Sequence, residues 1–282
     1  MNHVMLAASE IPSMSKLKWP KLGSPKLDGI RCYIGQNIYS RHKKPIPNRY
    51  VIERMRGLVG KVQLDGELML PGDFNAVQSA IMSEHGTPMF EYHVFDTMHA
   101  PSLSAMVRTR VYTDLVQRLN EEGFDFIKAV PQVMLMNAEQ AETYMQQCVA
   151  EGYEGVILKD PSAPYKFGRS TLKQEIMLKY KYFHDTEGVI VGFTELMHNL
   201  DTSTKRKDNM VPGNTLGAFI VEWNGVRFEV GGGKGLTAAM RKRYWNMQPL
   251  LLGKNLTFKY QELSANGVPR FPTYKAIRDA RI

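Results

Sequence analysis

The sequence predicts an α+β chain in two domains: residues 1–184, mixing sheets with helices, and residues 185–282, a small five-stranded β-barrel. Three observations carry that expectation. A length of 282 residues exceeds one small domain and falls short of three. Short strand-like runs alternate with helical stretches from Pro25 to Asp160. After about Asp185 the texture changes to strands and turns around one helical stretch.

In the first domain the strand-like runs are SPKLDGIRCYIG from Ser24, NIYSRH from Asn37, KVQLDGELML from Lys61, FEYHVFDTM from Phe90 and EGVILK from Glu154. The clearest helix spans Ser102 to Glu122. Leu103, Val107, Val111, Leu115 and Leu119 recur there every fourth residue, a stripe expected to lie on a sheet, and Gly123 stands where a left-handed cap belongs. A second helix runs from Ala138 to Glu151, opened by Asn137 with Gln140 three residues on and closed by Gly152. It carries Ala141, Tyr144, Met145 and Cys148 inward, which makes Cys148 a core residue. In the second domain EGVIVGFTE, LGAFIVEW, VRFEVGGG and NLTFKYQEL read as strands, with a helical segment near Leu236 to Met247. Asn224-Gly225 between two of these runs is a hairpin signal. About 95 residues of this texture fit a barrel of the OB kind, with an SH3-like barrel as the alternative that periodicity leaves open.

Composition narrows the class. Hydrophobic residues at 43% and charged residues at 23% exclude a disordered or collagen-like chain. No apolar run approaches the roughly 20 residues that span a bilayer, and Val4 to Ala8 is too short for a signal segment, so no membrane role is expected. Cys32 and Cys148 cannot form a disulfide scaffold or a zinc cluster, which points to a reducing, cytoplasmic interior. A net charge of +8 leans toward a polyanionic partner.

Several charged residues interrupt apolar strands rather than lining a wet face. In KLDGIR a strand period of two puts Lys26 and Asp28 on one face, and Gly29 admits a ligand close to the backbone. Alone, that run reads as a solvated edge strand. In LDGEL, Asp65 and Glu67 share one face, and paired carboxylates on a strand call for a cation. Glu154 precedes a Val-Ile-Leu run, and Lys179 and Lys181 flank Tyr180 on one strand face. Together these positions describe a cleft where charges neutralise one another and a bound ligand.

In their order along the chain, KLDGIR, SRH at Ser40 to His42, LDGEL, YHVFD, EGVILK and MLKYK resemble the motifs of the covalent nucleotidyltransferase superfamily, most closely its small ATP-dependent DNA ligases of viral or phage type. The resemblance implies a nucleotidyltransferase domain, an ATP-grasp-like mixture of sheets and helices, at 1–184 and an OB-fold at 185–282. It implies that Lys26 attacks the α-phosphate of ATP and carries AMP. An ammonium has no lone pair, and at an unperturbed pKa of about 10.4 only about one lysine in a thousand is neutral near pH 7, so such a nucleophile needs cationic neighbours or desolvation. Lys179 and Lys181 are implied to hold the phosphates, and Glu67 and Glu154 to hold Mg²⁺ or Mn²⁺, with Glu67 also near the ribose. Phe95 is implied to stack on adenine, and Asp96 after it makes that strand end less plainly interior. Arg31 and Arg41 are implied to hold the AMP phosphate or a nick 5′-phosphate, where a guanidinium fork suits better than an ammonium.

Other implied phosphate or nick contacts are Asp28, Asp65 and Arg169, the basic loop Lys205, Arg206 and Lys207, and Arg278, which with Asp279 best matches the last family motif. His42, His93 and His184 are read as bystanders, and Gly231 to Gly235 has no phosphate-loop spacing. The expected partner is nicked double-stranded DNA. Because 25 residues precede Lys26, two domains are expected to close on it as a monomeric clamp. The expected location is the cytoplasm, a host cell's if the source is viral. An RNA ligase or capping guanylyltransferase with the same lysyl-nucleotide chemistry, and a non-catalytic OB protein, stand as alternatives.

Overall fold

The computed structural model describes residues 4–8, 13–71, 74–200, 209–264 and 266–278. The chain divides into two compact units, Met1–Lys181 and Tyr182–Ile282. No helix among the described residues is long and apolar enough to cross a membrane.

The first unit holds two sheets. One is antiparallel, in the order β7-β1-β8-β9, from β1 (Lys21–Pro25), β7 (Val133–Leu135), β8 (Gly155–Lys159) and β9 (Met177–Lys181). The other runs β3-β2-β4-β5-β6, from β2 (Ile30–Ile34), β3 (Ile38–Ser40), β4 (Leu64–Met69), β5 (Glu91–Thr97) and β6 (Ile127–Ala129), with its last pair parallel. Helices α1 (Arg49–Met55) and α2 (Phe74–Met82) bring Val51, Met55, Val77 and Ile81 to the core of this second sheet. Helix α4 (Ala138–Ala150) covers the first sheet: Ala141, Met145 and Cys148 pack on Leu135, Val156, Leu158 and Leu178. Asn137 accepts from the Gln140 N–H at 2.9 Å and Gln140 Oε1 accepts from the Met136 N–H at 2.8 Å, so the expected start of this helix is present. Cys148 is a core residue.

Helix α3 (Ala105–Glu121) covers the second sheet with a different stripe from the expected one. Ala105, Arg108, Tyr112, Val116 and Leu119 are buried, whereas Leu103 and Val107 are exposed. A strict four-residue spacing overshoots the helical turn by about 40° per step, so the predicted apolar line winds off the contact face. The 3-4-4-3 spacing of the buried set stays on it. The helix also starts three residues later than expected, at the Ser104 cap.

KLDGIR is not one strand. β1 ends at Pro25 and β2 begins at Ile30, so Lys26, Leu27, Asp28 and Gly29 form the connection by which the chain leaves one sheet for the other. A Cβ on Gly29 would press on the Leu68 carbonyl and the Met69 sulfur, so this glycine accommodates the neighbouring strand rather than a ligand. The Asp65/Glu67 alternation does hold: Leu64 and Leu68 of β4 enter the core and the carboxylates take the other face.

The second unit is a five-stranded sheet in the order β12-β11-β10-β13-β14, from β10 (His184–Asn199), β11 (Met210–Trp223), β12 (Val226–Val230), β13 (Asn255–Tyr260) and β14 (Thr273–Ile277). Asn224 and Gly225, both at positive φ, turn β11 into β12 as the sequence signals. The sheet closes where Gly232, just past β12, bridges Thr273 and accepts from the Tyr274 N–H at 2.7 Å. Helix α5 (Ala238–Asn246) lies between the third and fourth strands in sequence and packs on the barrel through Tyr244, whose hydroxyl meets that of Tyr274 at 2.8 Å. This closed barrel is the OB-fold arrangement.

Candidate active site

The site is assembled where β1, β8 and β9 lie side by side. Pro25 stands opposite Val156, and Gly155 opposite Lys181. The Lys26 N–H donates to the Gly155 carbonyl at 2.8 Å, which holds the residue after β1 against the start of β8. Glu154, one residue earlier, is thereby delivered to two lysines. Its carboxylate is ion-paired with Lys26 Nζ and, at 2.9 Å, with Lys181 Nζ. Lys26 Nζ also donates to the Leu27 carbonyl at 3.2 Å.

Gly155 makes this closeness possible. Its φ of +146° is rarely open to an L side chain, and a Cβ there would strike the Tyr180 carbonyl. Gly155→Ala is therefore expected to splay β8 from β9 and to cost about 3 kcal/mol or more, read as a lowered denaturant midpoint. A midpoint unchanged from wild type would show that the strands can absorb the methyl.

Lys179 lies two residues before Lys181 and on the same face of β9. Burial pushes its pKa down, and the charges of Lys181, Lys26, Arg169 and Arg41 push the same way. Arg41, exposed in the turn after β3, and Arg169, exposed and donating to the Ala7 carbonyl at 2.8 Å, thus belong to the same field of positive charge.

Glu67 of β4 stands near this group. Burial raises its carboxyl to about 7 against the opposing pull of Lys26, Arg31 and the Gly29 N–H, which donates at 3.4 Å; the negative charge of Glu154 adds to the rise. Its carboxylate oxygens are hard donors of the kind that hold a divalent cation, whose binding would displace the proton that burial favours. Glu154 differs, since both its oxygens are engaged by ammonium groups. Burial pushes its carboxyl up, but the pairs with Lys26 and Lys181 outweigh burial and hold it below the usual range.

The raised Glu67 value has a testable sign in the ligand-free protein. Its proton-bound form favours folding below the unfolded value near 4.3, and that contribution is lost as pH rises through about 7. Wild-type stability should fall across that window by on the order of 3 kcal/mol relative to Glu67→Gln. Melting temperatures of the two proteins that stay parallel between pH 4.5 and 7.5 would contradict it.

Arg31 and Asp65 face each other. Arg31 Nε and Nη2 bond the two Asp65 oxygens at 2.7 Å each, and Nη2 also reaches the Met5 carbonyl at 3.1 Å. The Tyr165 hydroxyl donates to Asp65 at 2.5 Å and accepts from the Met5 N–H at 3.0 Å. The guanidinium fork expected at the nucleotide or nick phosphates is thus held by the Asp65 carboxylate.

The sequence reading missed Tyr165 and the strap Val4–Ala8, whose backbone bonds Gly168, Ser170, Met177 and Lys179. The apolar run at Val4 was its one visible signal.

Phe95 of β5 is half-buried with the Arg31 guanidinium 4.5 Å from its ring centroid. The following Asp96, expected to mark a less interior strand end, is buried and ion-paired with Arg108 and Lys159. A charged residue is interior when other elements bring its partners.

Asp28 is half-buried in the connection after β1. Arg278 follows β14 in the second unit, paired with Glu187 at 2.5 Å. Lys205, Arg206, Lys207 and Asp279 lie outside the described residues.

A two-sheet unit with a lysine, two glutamates and a lysine-bearing strand at one point, followed by an OB barrel, defines the class of covalent nucleotidyltransferases with an OB domain. Residues 5–181 match the ATP dependent DNA ligase domain and residues 209–278 the DNA ligase OB-like domain. The chain belongs to the ATP-dependent DNA ligase family. It is 30% identical over 228 residues to a DNA ligase of African swine fever virus, covering 74% of this chain and 49% of that protein. The chain thus spans about half the length of these viral relatives. A DNA ligase of Haemophilus influenzae is 24% identical over 256 residues, covering 89% of this chain and 84% of its own. The Chlorella virus DNA ligase-adenylate structure superposes with a TM-score of 0.60 at 28% identity, covering 99% of this chain and 100% of that one.

Proposed function

We propose that the chain is an ATP-dependent DNA ligase that seals nicks in duplex DNA. The observation that carries this reading is the Lys26 amine, held by Glu154 beside Lys181 and within the positive field around Lys179, in a chain of this family. In the first transfer the Lys26 ammonium leaves its pair with Glu154 and gives up a proton to solvent, and the freed amine attacks the α-phosphorus of ATP, forming a P–N bond to AMP as the bond to pyrophosphate breaks. In the second, a 5′-phosphate at the nick takes AMP from Lys26. In the third, the adjoining 3′-hydroxyl attacks that phosphate and AMP leaves. Each transfer asks for neutralisation of phosphate charge more than for an acid or a base, which suits a site of lysines and arginines.

In this reading Lys179 and Lys181, with Arg41 and Arg169, bind the phosphates, and Phe95 stacks on adenine. Arg31 orders the Phe95 side of the pocket through its contact with the ring. Glu67 would hold Mg²⁺ or Mn²⁺, with Glu154 joining once Lys26 has turned to the nucleotide; the chemistry such an ion supplies is neutralisation of phosphate charge. Residues 1–184 carry the adenylyl transfers, and residues 185–282, with Lys205, Arg206, Lys207 and Arg278, meet the DNA backbone. The chain works as a monomer inside the cell.

The test is incubation with α-labelled ATP and Mg²⁺, followed by addition of a nicked DNA duplex, a nicked RNA duplex and RNA with a 5′-diphosphate end. Covalent label and joining of the DNA nick are expected. No covalent label would remove the enzyme, and label delivered to RNA alone would move it to the RNA branch.

A further inference from the structure

Beside Phe95 lies a buried charge group that the transfers above leave unused. Lys159 of β8, Asp96 of β5 and Arg108 of α3 are each at most 3% exposed. Asp96 accepts from Arg108 Nε at 2.8 Å and from Lys159 Nζ at 3.0 Å. Arg108 donates further to the carbonyls of Leu103 at 2.5 Å and Ala163 at 3.1 Å, so it is anchored on two backbone segments. Lys159 donates instead to the main-chain carbonyl of Phe95 at 2.7 Å, and its ammonium lies 5.6 Å from the centroid of the Phe95 ring.

Stability alone gives little reason for this arrangement, since well-packed apolar residues often serve as well as buried ions. What the ions supply is a fixed position. β8 begins beside Glu154 and ends in Lys159, and it belongs to the first sheet, whereas Phe95 belongs to the second. The Lys159 bond ties the strand that adjoins Glu154 to the backbone of the aromatic residue across the two sheets. Asp96, held by Arg108, aims the ammonium at that carbonyl.

We propose that Lys159 is a positioning residue for the nucleotide base: acting through the carbonyl and ring of Phe95, it sets the distance between the base-stacking ring and the lysines that take the phosphates. The inference rests on the reading of Phe95 as the ring that stacks on adenine.

Covalent labelling of the full chain at varied ATP tests it with Lys159→Met, Phe95→Leu and the double variant. Lys159→Met should raise KM for ATP roughly ten-fold, the size of one lost charge-assisted hydrogen bond, and leave the rate at saturating ATP within about three-fold. In the Phe95→Leu background the same change should add less than about two-fold, because there is no ring left to aim. Lys159→Gln keeps an N–H for the carbonyl. A smaller KM rise is expected of it, with the same loss of effect in the Phe95→Leu background, and it carries the test if the Met variant does not fold. A KM unchanged by Lys159→Met, or a penalty of equal size in both backgrounds, overturns the inference while leaving the stacking role of Phe95 intact. A KM unchanged by Phe95→Leu itself overturns the stacking reading first.

Discussion

Lys26→Ala is expected to leave the chain without any covalent label from α-labelled ATP. The reason is local: Lys26 is the amine that the backbone bond to Gly155 and the pair with Glu154 fix at the start of β8, and alanine offers no nucleophile. Lys26→Arg sharpens the test. A guanidinium keeps the positive charge and can keep a carboxylate partner, yet it stays protonated and has no lone pair to give. The arginine variant should therefore fold with a melting temperature near wild type and remain unlabelled. Both variants should still join a nick that already carries AMP on its 5′-phosphate, since the last transfer needs no lysine nucleophile. Label persisting on Lys26→Arg would mean that another group attacks ATP.

Glu154→Gln is expected to have the next largest effect, on labelling and on stability together. Glu154 is the carboxylate in contact with both Lys26 and Lys181, in a region that Lys179, Arg41 and Arg169 make strongly positive. An amide cannot balance two ammonium groups, and removing one partner of a largely buried ion pair costs roughly 3 kcal/mol. Several degrees of melting temperature should follow, at about 2–4 °C per kcal/mol for a chain of this size. Labelling should fall on the order of a hundred-fold, because Lys26 loses the group that holds it in register; that is about the penalty of a misplaced catalytic atom.

The pH dependence has a definite direction. The Glu154 carboxyl lies below its unfolded value, so its stabilising contribution is present above about pH 4.3 and lost as pH falls through the lower folded value. The gap between wild type and Glu154→Gln should be widest at neutral pH and close below about pH 4. A gap that stays constant across that range would show that the pair contributes no net charge stabilisation.

Much of this site was legible because strand alternation is local. LDGEL displays Asp65 and Glu67 on one face and MLKYK displays Lys179 and Lys181 on one face whatever surrounds them, since neighbouring side chains on a pleated strand point to opposite sides. The cap of α4 and the Asn224-Gly225 turn are equally local, set by side chains that bond their own backbone or by residues that tolerate positive φ.

The partners were not legible. Arg31 suits a phosphate or a carboxylate equally well as a chemical group. The register that puts Arg31 opposite Glu67 sets Asp65 diagonally across, within reach of the fork. Asp96 looked wet because nothing near it in the chain is cationic, and its partners arrive from α3 and β8, 12 and 63 residues away.

Residue types, their alternation and their order along the chain thus determined the family, the two units and the set of groups available to hold a nucleotide. Which charge meets which was decided by tertiary structure: the crossing at residues 26–29 and the close β8–β9 contact at Gly155 deliver Glu154 to Lys26 and Lys181. The physical reason is one of range. Backbone geometry fixes where a side chain points from its own few neighbours, whereas Coulomb attraction and hydrogen bonding act over a few ångströms between groups whose separation in sequence carries no record of their distance in space.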